Sequence, residues 1–245
     1  DQVTEYLVDP GTFYLFLNAS INRYPSQASP IVGKPLYSIY SYPWKGLDPE
    51  TGDPVGIIEN VESTDYRALS NYYSDNVDQL IYNGPALPTT FGAIRNTFGY
   101  KNFSLSLNIS YHFGGYFRRS SISYNDFFRS GYYYAHKDFA DQWREPGDEL
   151  FTSVPSMVYP SNSSRDSFYA SSDILVEKSD LLRLQDINFS YDFPFASQIG
   201  FSALNMYFYA NNLGLLWTAN DYDIDPDYPE LPLPKSYAIG IKATF

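Results

Sequence analysis

The chain has 245 residues, with 16 lysines and arginines against 28 aspartates and glutamates, a formal charge of −12. That balance argues against a nucleic-acid partner, because phosphate binding needs a basic stripe. The absence of cysteine excludes a disulfide framework and thiolate metal sites. No apolar run is long enough for a transmembrane helix and no signal peptide is evident. The chain opens at Asp1 without a start methionine, so the expectation is a piece of a larger polypeptide.

Eight strands are predicted, near residues 12–23, 34–45, 54–61, 89–99, 102–117, 177–193, 200–216 and 236–245. Between the second and third, Asp48-Pro49-Glu50-Thr51-Gly52-Asp53-Pro54 is turn chemistry: Pro presets φ, Gly supplies positive φ and Asp bonds nearby backbone. The fifth strand carries the clearest pattern. Phe103, Leu105, Leu107, Ile109, Tyr111 and Phe113 alternate with Ser104, Ser106, Asn108, Ser110 and His112. Such a run is about twice the length of an ordinary soluble strand of about 5–6 residues. The sixth alternates Ile187, Phe189, Tyr191 and Phe193 with Asp186, Asn188, Ser190 and Asp192, and the seventh carries Leu204, Met206, Phe208 and Ala210. The eighth sets Tyr237, Ile239, Ile241, Ala243 and Phe245 against Ala238, Gly240, Lys242 and Thr244.

A strand of about 9–11 residues, tilted, spans an outer membrane with an apolar face to lipid and a polar face to a lumen. The connections fit an up-and-down barrel. Placing the last strand's end at the periplasmic side makes 46–53, 99–102 and 194–199 short periplasmic turns, and 62–88, 118–176 and 217–235 long outside loops. The expected fold is therefore all-β, a transmembrane antiparallel barrel section with long extracellular loops. Ser104, Ser106, Asn108, Ser110, His112, Asp186, Asn188 and Ser190 are the candidate lumen-facing residues.

Aromatic residues make up 19% of the chain, with 25 Tyr and 18 Phe. Aromatic rings suit membrane–water boundaries, and they equally suit a Tyr-rich carbohydrate-binding β-protein. In the long loops, Tyr132, Tyr133, Tyr134, Trp143, Phe151, Tyr159, Phe168 and Tyr169 either contact a substrate or partner or pack the loops on themselves. Asp221, Asp223 and Asp225 are weak calcium candidates, continued by Asp227. A dedicated calcium loop wants Gly where Pro226 stands and Glu where Pro232 stands. His112 and His136 assemble no catalytic or zinc spacing, so neither an enzyme nor a cofactor is expected.

Several ordered motifs resemble the SusC/RagA-type TonB-linked outer-membrane transporters of Bacteroidota. They are Gly33-Lys34-Pro35-Leu36 with Gly46-Leu47-Asp48-Pro49-Glu50-Thr51-Gly52-Asp53-Pro54, and Pro88-Thr89-Thr90-Phe91-Gly92 with Tyr100-Lys101-Asn102-Phe103-Ser104-Leu105. Trp143-Arg144-Glu145-Pro146-Gly147-Asp148, Leu182-Arg183-Leu184-Gln185, Asn211-Asn212-Leu213 and the terminal Phe245 complete the order, with Arg144 following Trp143 where the family has the reverse.

The resemblance implies that residues 1–245 are the C-terminal section of a barrel of about 22 strands, with the plug and remaining strands on a missing N-terminal part or a separate chain. It implies import of a large glycan or peptide, coupling to TonB through the plug, and a SusD-like surface lipoprotein as partner. It also implies that Tyr237, Ile239, Ile241 and Phe245 form a barrel-assembly signal at a true C-terminus. A barrel serving secretion or scaffolding and a secreted glycan-binding β-sandwich are the other readings.

Overall fold

The computed structural model describes residues 2–5, 31–129 and 136–245. The strand expected near 12–23 lies outside the described residues. In chain order the elements are β1 (Ser38–Ser41), β2 (Gly56–Ile58), β3 (Val61–Ser63), α1 (Tyr66–Asp75), β4 (Ile81–Pro85), β5 (Thr90–Tyr100), β6 (Phe103–Phe113), β7 (Tyr116–Arg118), α2 (Tyr124–Arg129), α3 (Ser163–Ala170), β8 (Val176–Lys178), β9 (Leu181–Asp192), β10 (Ala203–Thr218) and β11 (Ser236–Thr244). No helix among the described residues is long and apolar enough to cross a membrane. The chain divides into an aromatic-core unit, Asp1–Leu87 with Tyr116–Glu177, and a sheet unit, Pro88–Gly115 with Lys178–Phe245.

In the sheet unit, five strands form one antiparallel sheet in the order β5-β6-β9-β10-β11. These are the last five of the expected strands. The registers pair like with like: Leu105 with Phe189, Leu107 with Ile187, Phe208 with both Phe189 and Ile239, and Met206 with Ile241. Because the side-chain period is two, these registers put every strand's apolar set on one face. Asn96 breaks the pattern, lying opposite Leu107 on that face.

That apolar face is open. Even on interior strands Phe189 is 39% and Phe208 37% exposed, and on β11 Ile239 is 77% and Ile241 69% exposed. A contiguous apolar surface of this kind is what lipid covers in a membrane barrel. Aromatic rings close it at both ends. Phe103 packs on Tyr191 with centroids 4.6 Å apart, and Tyr191 on Phe193 at 5.0 Å. At the other end Tyr111, Phe113 and Trp217 gather. The 11 residues of β6 run about 33 Å, which a tilt of about 40° reduces to about 25 Å of membrane. The architecture is the wall of a transmembrane antiparallel β-barrel.

Local chemistry fixes its turns and kinks. β5 and β6 join through Lys101-Asn102, with Lys101 at φ 53°. In β10 the register with β9 slips between Asn211 and Gly214, where Asn212 takes φ 56° and Gly214 φ 111°. Asn and Gly are the residues that tolerate this left-handed backbone, which gives the Asn211-Asn212-Leu213 motif a structural reason.

The aromatic-core unit corrects two expected membrane strands. The segment near 34–45 contributes only β1, buried along its whole length and paired with β4; the segment near 54–61 contributes β2, paired with β3. The serines of β1 are satisfied inside the protein. Ser38 Oγ donates to Pro35 O at 2.6 Å and Ser41 Oγ to Asn83 Oδ1 at 2.6 Å. Buried hydroxyls are tolerated on either face of the strand because they are paired.

The turn expected on the periplasmic side is likewise part of this unit. Asp48 Oδ1 accepts from Glu50 N and Thr51 N, and Gly52, at φ 69°, packs against the Trp143 ring and Ser156. Arg165 reaches back to Asp53, to Gly52 O at 3.2 Å and to Ser156 Oγ at 2.9 Å. The 46–53 turn therefore belongs with the 118–176 segment and does not lie across a membrane from it.

The core of this unit is built from Tyr40, Tyr42, Tyr66, Leu69, Tyr73, Leu80 and Phe168. On α1 the buried Tyr66, Leu69 and Tyr73 follow helical spacing, and Asp65 caps the helix by accepting from Arg67 N and Ala68 N. Burying a side chain such as Leu69 stabilises by about 1.5–3 kcal/mol. Three of the buried phenols donate to backbone carbonyls: Tyr66 OH to Pro54 O at 3.1 Å, Tyr73 OH to Ile57 O at 2.7 Å, and Tyr124 OH to Pro155 O at 2.7 Å. Burial pushes the Tyr40 and Tyr73 hydroxyls up to about 12.

Candidate functional site

Register assembles the polar face of the sheet unit. Ser104 lies opposite Ser190, Ser106 opposite Asn188 and Asn108 opposite Asp186, so these expected residues share one face. Arg95 and Thr97 join them from β5, and Tyr207, Tyr209 and Asn211 from β10. Asp186 Oδ2 accepts from Arg95 Nη2 and Asn108 Nδ2, both at 2.9 Å. Thr97 Oγ1 donates to Ser106 Oγ at 3.2 Å. Gln185, displaced by the register shift beside Asn108, donates from Nε2 to Ser110 Oγ at 3.0 Å. Sequence reasoning missed Arg95, Tyr207 and Tyr209; the parity of β5 and β10 carried that signal. Gly240 lets the Tyr207 ring lie across β11, since a Cβ there would meet the ring at 2.4 Å.

Toward the Phe113 end, Arg183 ties the 219–235 loop to the sheet. Its guanidinium donates to Asp225 through two bonds, 2.7 and 2.6 Å, and to Asp227 Oδ2 at 2.9 Å. It also lies 5.5 Å from the Tyr228 ring centroid. His112 Nδ1 is 3.7 Å from Asp227 Oδ1. Asn220 shapes the loop by accepting from Tyr222 N and Ile224 N and donating to Ile224 O. The weak calcium candidates lie in this loop. Asp225 is committed to a bidentate arginine pair, and Asp221, Asp223 and Asp225 form no group able to hold a metal among the described residues.

The loop aromatics divide. Trp143 is 7% and Tyr169 1% exposed, so both are core residues and neither is placed to meet a substrate. Trp143 fills the space above Gly52, and the Tyr169 hydroxyl lies 3.1 Å from Ser121 Oγ. Phe168 stacks on Tyr42 in the core. Tyr159, 78% exposed, and Phe151 face solvent. Tyr132, Tyr133 and Tyr134 lie outside the described residues. Tyr237, Ile239, Ile241 and Phe245 are all exposed, and Phe245 packs on Phe201 at 5.1 Å.

The aromatic-core unit also holds a cavity of about 700 Å³, which sequence reasoning did not find. Its walls come from α1, α2, α3 and the Arg118–Ser123 segment, and nine of its lining residues are serines. Arg118, partly buried, lines it. Its nitrogens donate to Ser172 O at 2.9 Å, to Tyr40 O at 2.8 Å and to Ser41 Oγ at 2.8 Å, all uncharged acceptors, and burial pulls its guanidinium down to about 10. Burial likewise raises the Asp166 carboxyl, which accepts from Asn125 N at 2.6 Å. Beside the cavity, Arg119 and Asp138 form a buried pair at 2.6 Å. Burial alone would raise the Asp138 carboxyl, but hydrogen bonds with His136, Ser121 and Arg119 hold it well below the usual range.

No protein-family model matches the chain, and no curated protein matches it. Solved structures do. The chain is similar to the RagAB peptide importer in its "open-open" state, with a TM-score of 0.61 and 21% identity over 88% of this chain and 23% of that one. In the "closed-closed" state the TM-score is 0.61, again at 21% identity, over 87% of this chain and 23% of that one. The RagAB peptide transporter matches with a TM-score of 0.57 and 21% identity, over 85% and 22%. The chain thus spans under a quarter of the length of the structures it matches, and what it shares with them is the fold of a barrel transporter.

Proposed function

We propose that this chain forms part of the wall of an outer-membrane, TonB-dependent importer of a large nutrient, a peptide or a glycan. The observation that carries the reading is the two-faced sheet: an open apolar band about 25 Å tall, bounded by aromatic rings, backed by a continuous polar face. Its likeness in fold to a peptide importer supports the same reading. The polar face, with Ser104, Ser106, Asn108, Ser110, His112, Asp186, Asn188 and Ser190, lines the lumen and offers hydroxyls, amides and paired charges to a hydrated solute. In this reading the remaining strands and a plug complete the barrel, TonB acts through the plug, and a SusD-like lipoprotein meets the outside. The work is gated passage and involves no reaction.

The test is uptake. Cells carrying the protein should accumulate a fluorescent peptide or oligosaccharide, and a protonophore should abolish the accumulation. Membrane fractionation should place the protein in the outer membrane, in a form that resists SDS until heated. Recovery in the soluble fraction, or uptake that ignores the protonophore, would count against the proposal.

A further inference from the structure

We infer that the 219–235 loop is a movable strap across the polar face of the sheet unit, held shut by Arg183 as an ionic clasp. The inference rests on the importer reading only for calling that face a lumen. The strap itself is read from the sheet unit.

The loop takes an indirect path. It joins β10 to β11, which are neighbours in the sheet. A connection between neighbours has no need to leave them, and this one does. Asp225 and Asp227 reach Arg183 on β9, and Asp227 Oδ1 lies 3.7 Å from His112 Nδ1 on β6. In the order β6-β9-β10, β6 stands two strands from β10, a sideways excursion of about 10 Å at the usual strand spacing. The loop then returns, and Asn212 Nδ2 donates to Pro234 O at 3.2 Å just before β11 begins. Arg183 lies opposite Ser110, so the crossing is on the polar face. It is at the Phe113 end, which in the importer reading is the outside mouth.

The attachment is ionic. Among the described residues no apolar side chain of 219–235 is buried, and Tyr228 and Leu231 are exposed. Arg183, with its side chain only 6% exposed, makes three hydrogen bonds to the loop carboxylates. Much of the loop's remaining bonding is internal: Asp227 N donates to Asp225 Oδ1 and Tyr228 N to Asp225 O, both at 3.1 Å. Pro226, Pro229, Pro232 and Pro234 stiffen it further. A segment with few buried apolar contacts opens at low cost, whereas a fork from arginine to carboxylate is a strong contact. The strap is therefore a preshaped piece on one clasp. Releasing the clasp leaves the β9–β10 ladder intact, because the strap contributes nothing to it.

The clasp sits over one end of the polar face. Ser110 is directly opposite Arg183. Ser104, on the same strand, lies about 20 Å away at the usual rise per residue. Opening the strap exposes the first position and leaves the second as it was.

The experiment is thiol labelling of the full protein purified in detergent, with fluorescein maleimide as the probe. The chain has no cysteine, so Ser110→Cys and Ser104→Cys each give it a single thiol. With the clasp intact, Ser110→Cys should label slowly. Asp225→Asn combined with Asp227→Asn, and separately Arg183→Gln, should speed that labelling about tenfold, the worth of one charge-assisted contact. Asp227→Asn alone removes one of the three bonds and should give a few-fold increase. That carboxylate is 35% exposed, so this variant keeps the test readable if either stronger one fails to fold. Ser104→Cys should label at one rate throughout. Chymotrypsin should cut at Tyr222 and Tyr228 faster in the same order of variants. Unchanged labelling at Ser110→Cys in the folded variants overturns the strap, as does equal acceleration at both positions. Labelling stands apart from transport. It reads the strap even in a protein that imports nothing, and an importer whose Ser110→Cys labelling ignores the clasp refutes the strap and leaves the importer reading in place.

Discussion

The two units use the same residue type in opposite ways. In the aromatic-core unit Tyr66, Tyr73 and Tyr124 are buried, and each phenol donates to a backbone carbonyl. In the sheet unit Phe103, Phe208 and Tyr237 are exposed on a face that no part of the unit covers. One unit gathers apolar surface inward and pairs most of its buried polar groups, as water demands. The other turns apolar surface outward and collects its polar groups on the opposite face, as lipid demands. An aromatic content of 19% is thus two populations under one number. One is a core and the other a membrane boundary.

The largest effect should come from the buried pair of the aromatic-core unit. Asp138→Ala leaves Arg119 buried without its carboxylate and should cost about 3–5 kcal/mol. Limited proteolysis should then cut within Tyr116–Glu177, while the barrel keeps its SDS resistance. Concerted loss of both would erase the distinction between the units. The pH dependence follows from the same group. A depressed folded pKa contributes stability above the unfolded value and loses it as pH falls, so protease resistance should decline below about pH 4. Asp138→Asn should flatten that decline. Asp166 and Asp173 oppose it, since burial raises both and their protonation favours the fold.

Next is the lipid face. Leu107→Arg should cost the sheet about 2–4 kcal/mol in denaturant unfolding from lipid vesicles, while Asn108→Asp on the other face should be mild. Equal costs at the two positions would remove the assignment of faces. Gly52→Ala should lower the melting temperature of the aromatic-core unit through a loss of about 2 kcal/mol. Its φ is 69° and a Cβ would meet the Trp143 ring at 2.4 Å. The smallest effect should be Asp65→Ala, a lost helix cap worth about 1 kcal/mol. Circular dichroism on heating should register it without any change in barrel assembly.

Some of this was legible in the chain and some was not. Ser104, Ser106 and Asn108 share one face because period-two alternation is a property of the strand itself. The five long strands then sit beside their sequence neighbours, so pairing added register without changing any face. The strand expected near 34–45 proved to be the short buried β1, whose serines Pro35 and Asn83 satisfy inside the protein. Asp225, only a weak calcium candidate from the sequence, is held by Arg183, which is distant in the chain.

By itself the sequence determined the five long strands and which residues of each share a face, because a two-residue period needs no partner to express it. Tertiary structure decided the rest. It folded 34–63 and the 118–176 segment into one aromatic core, buried Trp143 and Tyr169, and drew Arg67, Asp126 and Ser167 around one cavity. Those residues come from three helices separated by long stretches of chain. Their meeting depends on which surfaces bury together, and local periodicity holds no information about that.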